Sequence, residues 1–165
     1  MHKVYFLVGG NVNNTRLKYE QLSILFQKKI GKITASSQFY KSPPWGFNSP
    51  NPFINWAVCV ETHLTPPRLM KETQHIERLL GRKKNKTVQY EDRSMDIDII
   101  FYDNISWNTE DLHIPHPKMH LRNFVLTPLF EICPFFVHPV MKKDITVLKK
   151  ECQDNSVVTA VALLE

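Results

Sequence analysis

A chain of 165 residues with 42% apolar and 22% charged positions has the balance of one globular domain, which excludes disorder as a global description. No apolar run approaches the roughly 20 residues that cross a bilayer, and the strand-like start MHKVYFLVGGN lacks the long apolar core of a signal peptide, so a cytoplasmic setting with no membrane partner is expected. The formal charge of +5 favours an anionic partner, and its concentration in GRKKNK, residues 81–86, suits a phosphate-bearing small molecule as well as nucleic acid.

In chain order, the β-branched and aromatic run Lys3 to Val8 predicts a first strand, ended by Gly9-Gly10-Asn11. Tyr19, Leu22, Leu25, Phe26 and Ile30 recur at helical spacing and predict a helix from about Thr15 to Ile30, stopped by Gly31. Lys32 to Tyr40 reads as a second strand. The segment KSPPWGFNSPNP, Lys41 to Pro52, breaks regular structure with four prolines and a glycine. Phe53 to Glu61 reads as a third strand, with Ile54, Trp56, Val58 and Val60 on one face and Phe53, Asn55, Ala57 and Cys59 on the other. TPPRLMKETQHIERLLG carries a cap at Thr65, prolines in its first turn, an inner stripe of Leu69, Thr73, Ile76 and Leu80, and a stop at Gly81. A basic loop, Arg82 to Asp92, leads into a fourth strand, Ser94 to Tyr102. Past Asn104 come HIPHPKMH, a short helix from Leu121 to Ile132, and a tail that adds a strand or a helix. The order strand–helix–strand–strand–helix–strand is the split βαβ pattern, an α+β, ferredoxin-like arrangement with an antiparallel sheet and two helices on one face.

The stretch DRSMDIDIIFY places Asp96 and Asp98 one residue apart in a strand. Alternation turns Met95, Ile97, Ile99 and Phe101 toward the helices and sends both carboxylates out of the opposite face, their Cα atoms roughly 6–7 Å apart. At an effective dielectric of about 20 such charges repel by about 2–3 kcal/mol. Either water screens them on a solvated strand face or a cation sits there, and Mg²⁺ is the best candidate, because it takes one or two carboxylates and leaves room for substrate phosphates. Arg82, Lys83, Lys84, Lys86 and Arg93 lie just upstream, so metal and cations together suit a polyphosphate, unless the loop is merely a solvated charge run. Neither a P-loop nor a Gly-x-Gly-x-x-Gly stretch is present, and VGGN reads only as a tight turn.

Phe53 and Asn55 on one strand face suit a flat heteroaromatic ring, the phenyl for stacking and the amide for both donor and acceptor, although a core Phe has the same appearance in sequence. His113, His116 and His120 have zinc-like spacing, but prolines 115 and 117 oppose a helix that would aim them at one ion. Cys59, Cys133 and Cys152 are odd in number and far apart, which fits reduced thiols rather than a disulfide framework or metal site.

Taken in order, FYKSPPWG, FINWAVCVET, RSMDIDIIFY, IPHPKM and RNFVLTPLFEI resemble the 6-hydroxymethyl-7,8-dihydropterin pyrophosphokinases of folate biosynthesis, over roughly residues 4 to 132. The resemblance implies a ferredoxin-like sandwich, here one domain over 1–165, expected to act as a monomer. It implies transfer of diphosphate from ATP to a pterin alcohol with release of AMP. It further implies that Asp96 and Asp98 hold two Mg²⁺ ions, and that Phe53 and Phe124 sandwich the pterin. Asn55 would read the ring, beside Ser42 and the backbone of Pro44 and Trp45. Gln74, Glu77, Ile99 and His116 would line the ATP site. Arg82, Lys84, Arg93 and Arg122 would serve as basic groups, with Arg82 and Arg93 in the catalytic set.

The chain departs from the family in the loop before the fourth strand. Where the family usually has Arg-Trp-Gly-Pro-Arg, this chain has QYEDR, Gln89 to Arg93, and Asp111 stands where an Arg can occur. These departures leave room for a catalytically impaired homologue. A ferredoxin-like RNA-binding module is disfavoured, since no RNP-type aromatic motif is present and acids at 96 and 98 would repel a phosphate backbone.

Overall fold

The computed structural model describes residues 1–82 and 91–163. The sheet is built around β1 (His2–Gly10), which pairs antiparallel with β4 (Phe53–Thr62) on one side and with β5 (Asp96–Tyr102) on the other. A strand covered on both faces needs no polar alternation, and Val4 to Val8 are all buried. The far edge of β4 is shared by β2 (Gly31–Ser36) and β3 (Phe39–Ser42), each antiparallel to it.

The single strand predicted over Lys32 to Tyr40 is thus two. Ser37 interrupts it: its Oγ accepts from the Ala57 N–H at 3.0 Å, and its carbonyl accepts from the Trp56 indole at 3.1 Å. A side chain replaces a ladder bond there and the register shifts.

Helices α1 (Arg16–Lys29) and α2 (Pro66–Leu79) pack on one face. From α1 come Tyr19, Leu22 and Phe26, and from α2 Leu69 and Ile76, all closing on Val4, Phe6, Val8, Trp56, Val58 and Val60. Gly31 ends α1 because the chain enters β2 against β4: a Cβ there would lie 2.0 Å from the Glu61 carbonyl oxygen.

The opposite face is also covered. A 3₁₀ turn, Met119–Leu121, precedes α3 (Asn123–Ile132), and α4 (Ile145–Glu151) follows. Met119, Val125, Leu126, Leu129, Ile145 and Leu148 pack on Tyr5, Leu7, Ala57 and Cys59. The sheet therefore lies between two helical layers, not beneath one as predicted.

Phe101 is a correction within that second core. Strict alternation placed it with Met95, Ile97 and Ile99 toward α1 and α2. The β1–β5 register instead skips Ile100 between the pairs Phe6–Ile99 and Tyr5–Phe101. This bulge reverses the phase, so Ile100 and Phe101 join the α3–α4 face and Tyr102 returns to the first core.

A small hairpin, β6 (Trp107–Asn108) with β7 (His113–Ile114), brings the proline- and histidine-rich segment beside β5, where the His116 N–H donates to the Ile100 carbonyl at 3.1 Å. The tail supplies both a helix, α4, and a strand. β8 (Thr159–Val161) adds to the sheet along Phe39–Lys41 of β3. Among the described residues no helix is long and apolar enough to cross a membrane.

Candidate active site

Two clefts meet at Asp96 and Asp98. The first, about 540 Å³ counted to its open mouth, lies where β1, β4 and β5 end against α3 and the proline-rich loop; Phe53, Asn55, Trp45, Arg93 and Phe124 are among its walls. The second, about 770 Å³ on the same basis, opens between α2, β5 and the hairpin; Gln74, Glu77, Arg82, Ile99 and His116 line it. Both aspartates line both clefts. Their position at the start of β5, before the bulge, keeps the alternation that points them the same way.

The two carboxylates differ in their partners. Asp96 is held from both sides: Arg82 donates to Oδ1 at 2.7 Å, and Arg93 donates to Oδ2. The chain of charges continues inward, since Arg82 also pairs with Glu77 Oε2 at 2.6 Å, while Glu77 Oε1 accepts from the Ile97 N–H at 2.8 Å. Burial, then the nearby Asp96 charge, pushes the Glu77 carboxyl up to about 7. Burial alone would lower Arg82, but Asp96 and Glu77 outweigh it and push it up. Asp98 makes no hydrogen bond or ion pair among the described residues. Its burial, reinforced by Asp96, raises it to about 8, against the opposing pull of Arg122 and Arg93.

The first cleft has the chemistry of a ring pocket. Phe53 and Phe124 are half-buried on its walls, and Phe47 meets Phe53 edge-on with centroids 6.0 Å apart. At its base the buried Asn55 donates through Nδ2 to Ser42 Oγ at 2.8 Å and to the Tyr40 carbonyl at 3.3 Å. Its Oδ1 lies on the Gly9 side, where a Cβ would come within 3.3 Å of it. Arg122 stands with its guanidinium 4.4 Å from the Trp45 ring centroid and 5.8 Å from that of Phe124. That stacking places Arg122 in the wall of the first cleft.

In the second cleft His116 is pushed down to about 4 by burial and then by Arg122, so its imidazole is neutral at pH 7. Its Nδ1 accepts from the Lys118 N–H at 3.2 Å, which leaves the proton on Nε2 as a donor. Asp111 lines this cleft too and adds an acid to its wall.

Of the residues expected at the site, Ser42, Trp45, Phe53, Asn55, Phe124, Arg93 and Arg122 are brought to the first cleft, and Gln74, Glu77, Arg82, Ile99 and His116 to the second. Pro44 is half-buried in the loop, and its neighbour Pro43 forms the wall instead. Lys84, with Lys83, Lys86, Gln89 and Tyr90, lies outside the described residues.

Sequence reasoning missed the polar brace behind Arg93. The Asn11 N–H donates to the Arg93 carbonyl at 3.0 Å, and Asn11 Oδ1 accepts from the Arg93 N–H at 2.8 Å. Gly10 permits this approach, because a Cβ there would sit 2.6 Å from the Ser94 carbonyl oxygen. Lys18 Nζ donates to that same carbonyl and to the Val12 carbonyl. The pair Gly10-Asn11 after a strand is the available signal, although in sequence it has the form of a tight turn.

The chain matches the family model for 7,8-dihydro-6-hydroxymethylpterin-pyrophosphokinase over residues 5–134. A relative from Porphyromonas gingivalis, 2-amino-4-hydroxy-6-hydroxymethyldihydropteridine pyrophosphokinase, is 36% identical over 138 residues, covering 82% of this chain and 93% of the relative. One of the same name from Haemophilus influenzae is 34% identical over 159 residues, covering 96% and 98%. Among solved structures, wild-type Plasmodium falciparum HPPK-DHPS superimposes with a TM-score of 0.74 at 16% identity; the match covers 91% of this chain but 44% of that one, so the likeness concerns the fold.

Proposed function

The chain belongs to the 7,8-dihydro-6-hydroxymethylpterin-pyrophosphokinase family, and from that premise we propose that it transfers diphosphate from ATP to the hydroxymethyl group of 6-hydroxymethyl-7,8-dihydropterin, the step by which its relatives serve folate synthesis. The observation that carries this reading is the sharing of one acidic pair by two clefts of different chemistry. An enzyme that joins a flat heterocycle to a polyphosphate needs a ring pocket, a charged pocket and a common wall where the reacting atoms meet. Reading residues 1–165 as one unit is supported by the tail, whose β8 joins the same sheet. The strand order, with β1 and β4 central and β5 and β2/β3 outside, supports a ferredoxin-like core.

The residues take the following parts. Phe53 and Phe124 stack the ring, each face worth about 1–3 kcal/mol. Asn55, held by Ser42 and the Tyr40 carbonyl, presents its amide to the ring edge, and Trp45 with Arg122 closes the side. This orientation turns the ring's hydroxymethyl arm toward Asp96 and Asp98. On the other side Gln74, Ile99 and the neutral His116 line the nucleotide cleft, His116 offering an Nε2 proton to an oxygen. Glu77 and Asp96 hold Arg82, and Asp96 holds Arg93, at the junction. Two fixed guanidinium groups there favour the charge that develops on a phosphoryl oxygen. The alcohol oxygen forms a bond to the β-phosphorus, the bond from that phosphorus to the α-phosphate oxygen breaks, AMP leaves, and the alcohol proton passes to solvent.

Mg²⁺ fits this donor set. Asp98 is a carboxyl group without a partner among the described residues, raised by burial and by Asp96, and a divalent cation would relieve both effects. Asp96 and Asp98 would hold it, and it would supply neutralisation of phosphate charge and activation of the alcohol. The test is incubation with ATP, Mg²⁺ and the pterin alcohol. Stoichiometric AMP and pterin diphosphate are expected; ADP, or no nucleotide product, overturns the proposal.

A further inference from the structure

Asp92 departs from the family pattern and sits in none of the cleft walls, yet it joins three segments. Its Oδ1 accepts from the Asn11 amide at 2.6 Å, and its Oδ2 accepts from the Asn51 amide at 3.0 Å. Asn11 is buried, belongs to the turn after β1, and braces the backbone of Arg93 on both sides. Asn51 is exposed, near the end of the proline-rich loop. That loop is stiffened there by the Asn51 N–H donating to Ser49 Oγ at 3.1 Å, and the Asn51 carbonyl accepts from the Asn11 amide at 3.3 Å. Ser49, Asn11 and Asn51 together hold the Asp92 carboxyl below the usual carboxylate range.

The geometry points to Asp92 as a positioning residue that clips the ring-pocket loop to the base of Arg93; this rests on the pyrophosphokinase reading above. The loop from Ser42 to Phe53 contributes Pro43, Trp45 and Phe47 to the first cleft, and its far end is anchored by β4. Between those points its connection to the β1 turn and the strand-entry segment runs through Asn51, Asn11 and Asp92. A carboxylate serves the two amides through separate charged oxygens, whereas a neutral amide would have to accept both on one uncharged oxygen. The clip therefore sets the shape of the ring pocket, while Arg93 keeps its own two backbone bonds to Asn11. A proline at position 92 would fix the backbone but make neither bond.

The test is steady-state kinetics on the full chain with Asp92→Ala, Asp92→Asn, Asn51→Ala and the double variant Asp92→Ala/Asn51→Ala. Asp92→Ala is expected to raise KM for the pterin alcohol about tenfold, because charged hydrogen bonds to an exposed loop are lost. kcat should stay within about threefold and Tm within about 2 °C, since Asp92 is exposed and packs no core. Asp92→Asn keeps one acceptor oxygen and should fall between wild type and Ala. The double variant should be no worse than the poorer single, the mark of two groups acting through one contact. An unchanged KM in Asp92→Ala, or losses that multiply in the double variant, overturns the clip.

Hydrogen exchange supplies a readout independent of turnover. Amides of residues 47–52 should exchange faster in Asp92→Ala than in wild type, and equal exchange also overturns the clip. A wild-type protein that releases no AMP would instead overturn the pyrophosphokinase reading, with the exchange experiment still deciding the role of Asp92.

Discussion

The ring cleft and the charged cleft share Asp96 and Asp98 but keep their shape by different forces. In the ring cleft Ser42 ends β3, Phe53 and Asn55 begin β4, and Phe124 is in the first turn of α3, while Pro43, Trp45 and Phe47 come from the loop between β3 and β4. Backbone ladders hold the strand residues, and the carboxylate of Glu131 ties α3 to β3 by accepting from Gln38 N–H and the Tyr40 hydroxyl. The charged cleft and its junction with the ring cleft depend instead on a row of ion pairs, Glu77–Arg82–Asp96–Arg93, whose members satisfy one another. Such pairs are partly desolvated, so removing one partner leaves the other with a burial cost and no compensation. A ring meets a preformed pocket, whereas a polyphosphate must compete for arginines already engaged.

The largest effect should come where the clefts meet. Asp98→Ala is expected to lower AMP formation by about a thousandfold or more, the scale of losing an electrostatic centre of catalysis. Asp96→Ala should do the same while also removing one ion pair from each of Arg82 and Arg93. Circular dichroism should be unchanged in both. Activity retained in both variants would break the idea that the common wall is the reaction centre.

The difference between the clefts sharpens with the stacking residues. Phe53→Ala and Phe124→Ala should each weaken binding of the pterin alcohol by about 10- to 100-fold, measured by titration calorimetry. Nucleotide affinity should be unaffected, because neither ring lines the second cleft. Equal losses for both ligands would mean that the clefts are one cavity energetically.

The acidic pair also predicts a pH dependence. Asp98 is raised from 3.8 to about 8, so between those values the folded state binds a proton that the unfolded state has released. Stability therefore falls as pH rises through this window and levels off above it. Glu77, raised from 4.5 to about 7, acts in the same direction over a narrower range. In chelator, the melting temperature of wild type should drop relative to Asp98→Asn by a few degrees between about pH 5 and about pH 8. Added Mg²⁺ should recover more at the upper end than at the lower. A gap that stays constant across pH would mean that Asp98 is not under electrostatic stress in the folded protein.

How much of this was legible in the sequence depended on the range of the interaction. Runs of β-branched and aromatic residues located β1 and β4, which are buried on both faces, and periodicity located α1 and α2, each of which buries one face. It placed Asp96 and Asp98 on one face because they precede the bulge at Ile100. It failed for Phe101, just beyond that bulge, since nothing in DIDIIFY marks which residue the neighbouring strand will skip. It failed likewise at Ser37, where a hydroxyl takes over a ladder position, and although it located the helix that ends at Ile132, it did not show which face of the sheet that helix covers. In the site, side chains on regular elements were legible and the braces were not. Asn11, Asn51 and Asp92 are polar loop residues of ordinary type, and their meaning arises only when three distant segments meet.

The smallest expected effect tests whether distant ties also hold the ring cleft. Asp154 lies in the tail beyond the span matched to the family. Its Oδ2 accepts from the Asn123 N–H at 2.9 Å, one residue before Phe124, and its Oδ1 accepts from the Ser156 N–H at 3.0 Å. The Asn123 side chain returns the contact by donating to the Ser156 carbonyl at 2.9 Å. Burial would raise the Asp154 carboxyl, but these N–H groups outweigh it and hold it below its usual range. A depressed acid contributes stability above its unfolded pKa and loses it as pH falls through the folded one. Asp154→Ala should therefore lower Tm by about 2–4 °C at pH 7, the scale of a lost helix cap in a chain of this size. Wild type and variant should converge as pH falls below the usual carboxylate range and the Asp154 carboxylate protonates. Pterin affinity should fall by about threefold at most, because Phe124 is also fixed by its helix and by the neighbours Val125 and Leu126 buried against the sheet. A larger loss, on the scale of Phe124→Ala, would mean that the tail and not the sheet governs the ring cleft, and the contrast between the two clefts would then lie in chain connectivity rather than in the forces that shape them.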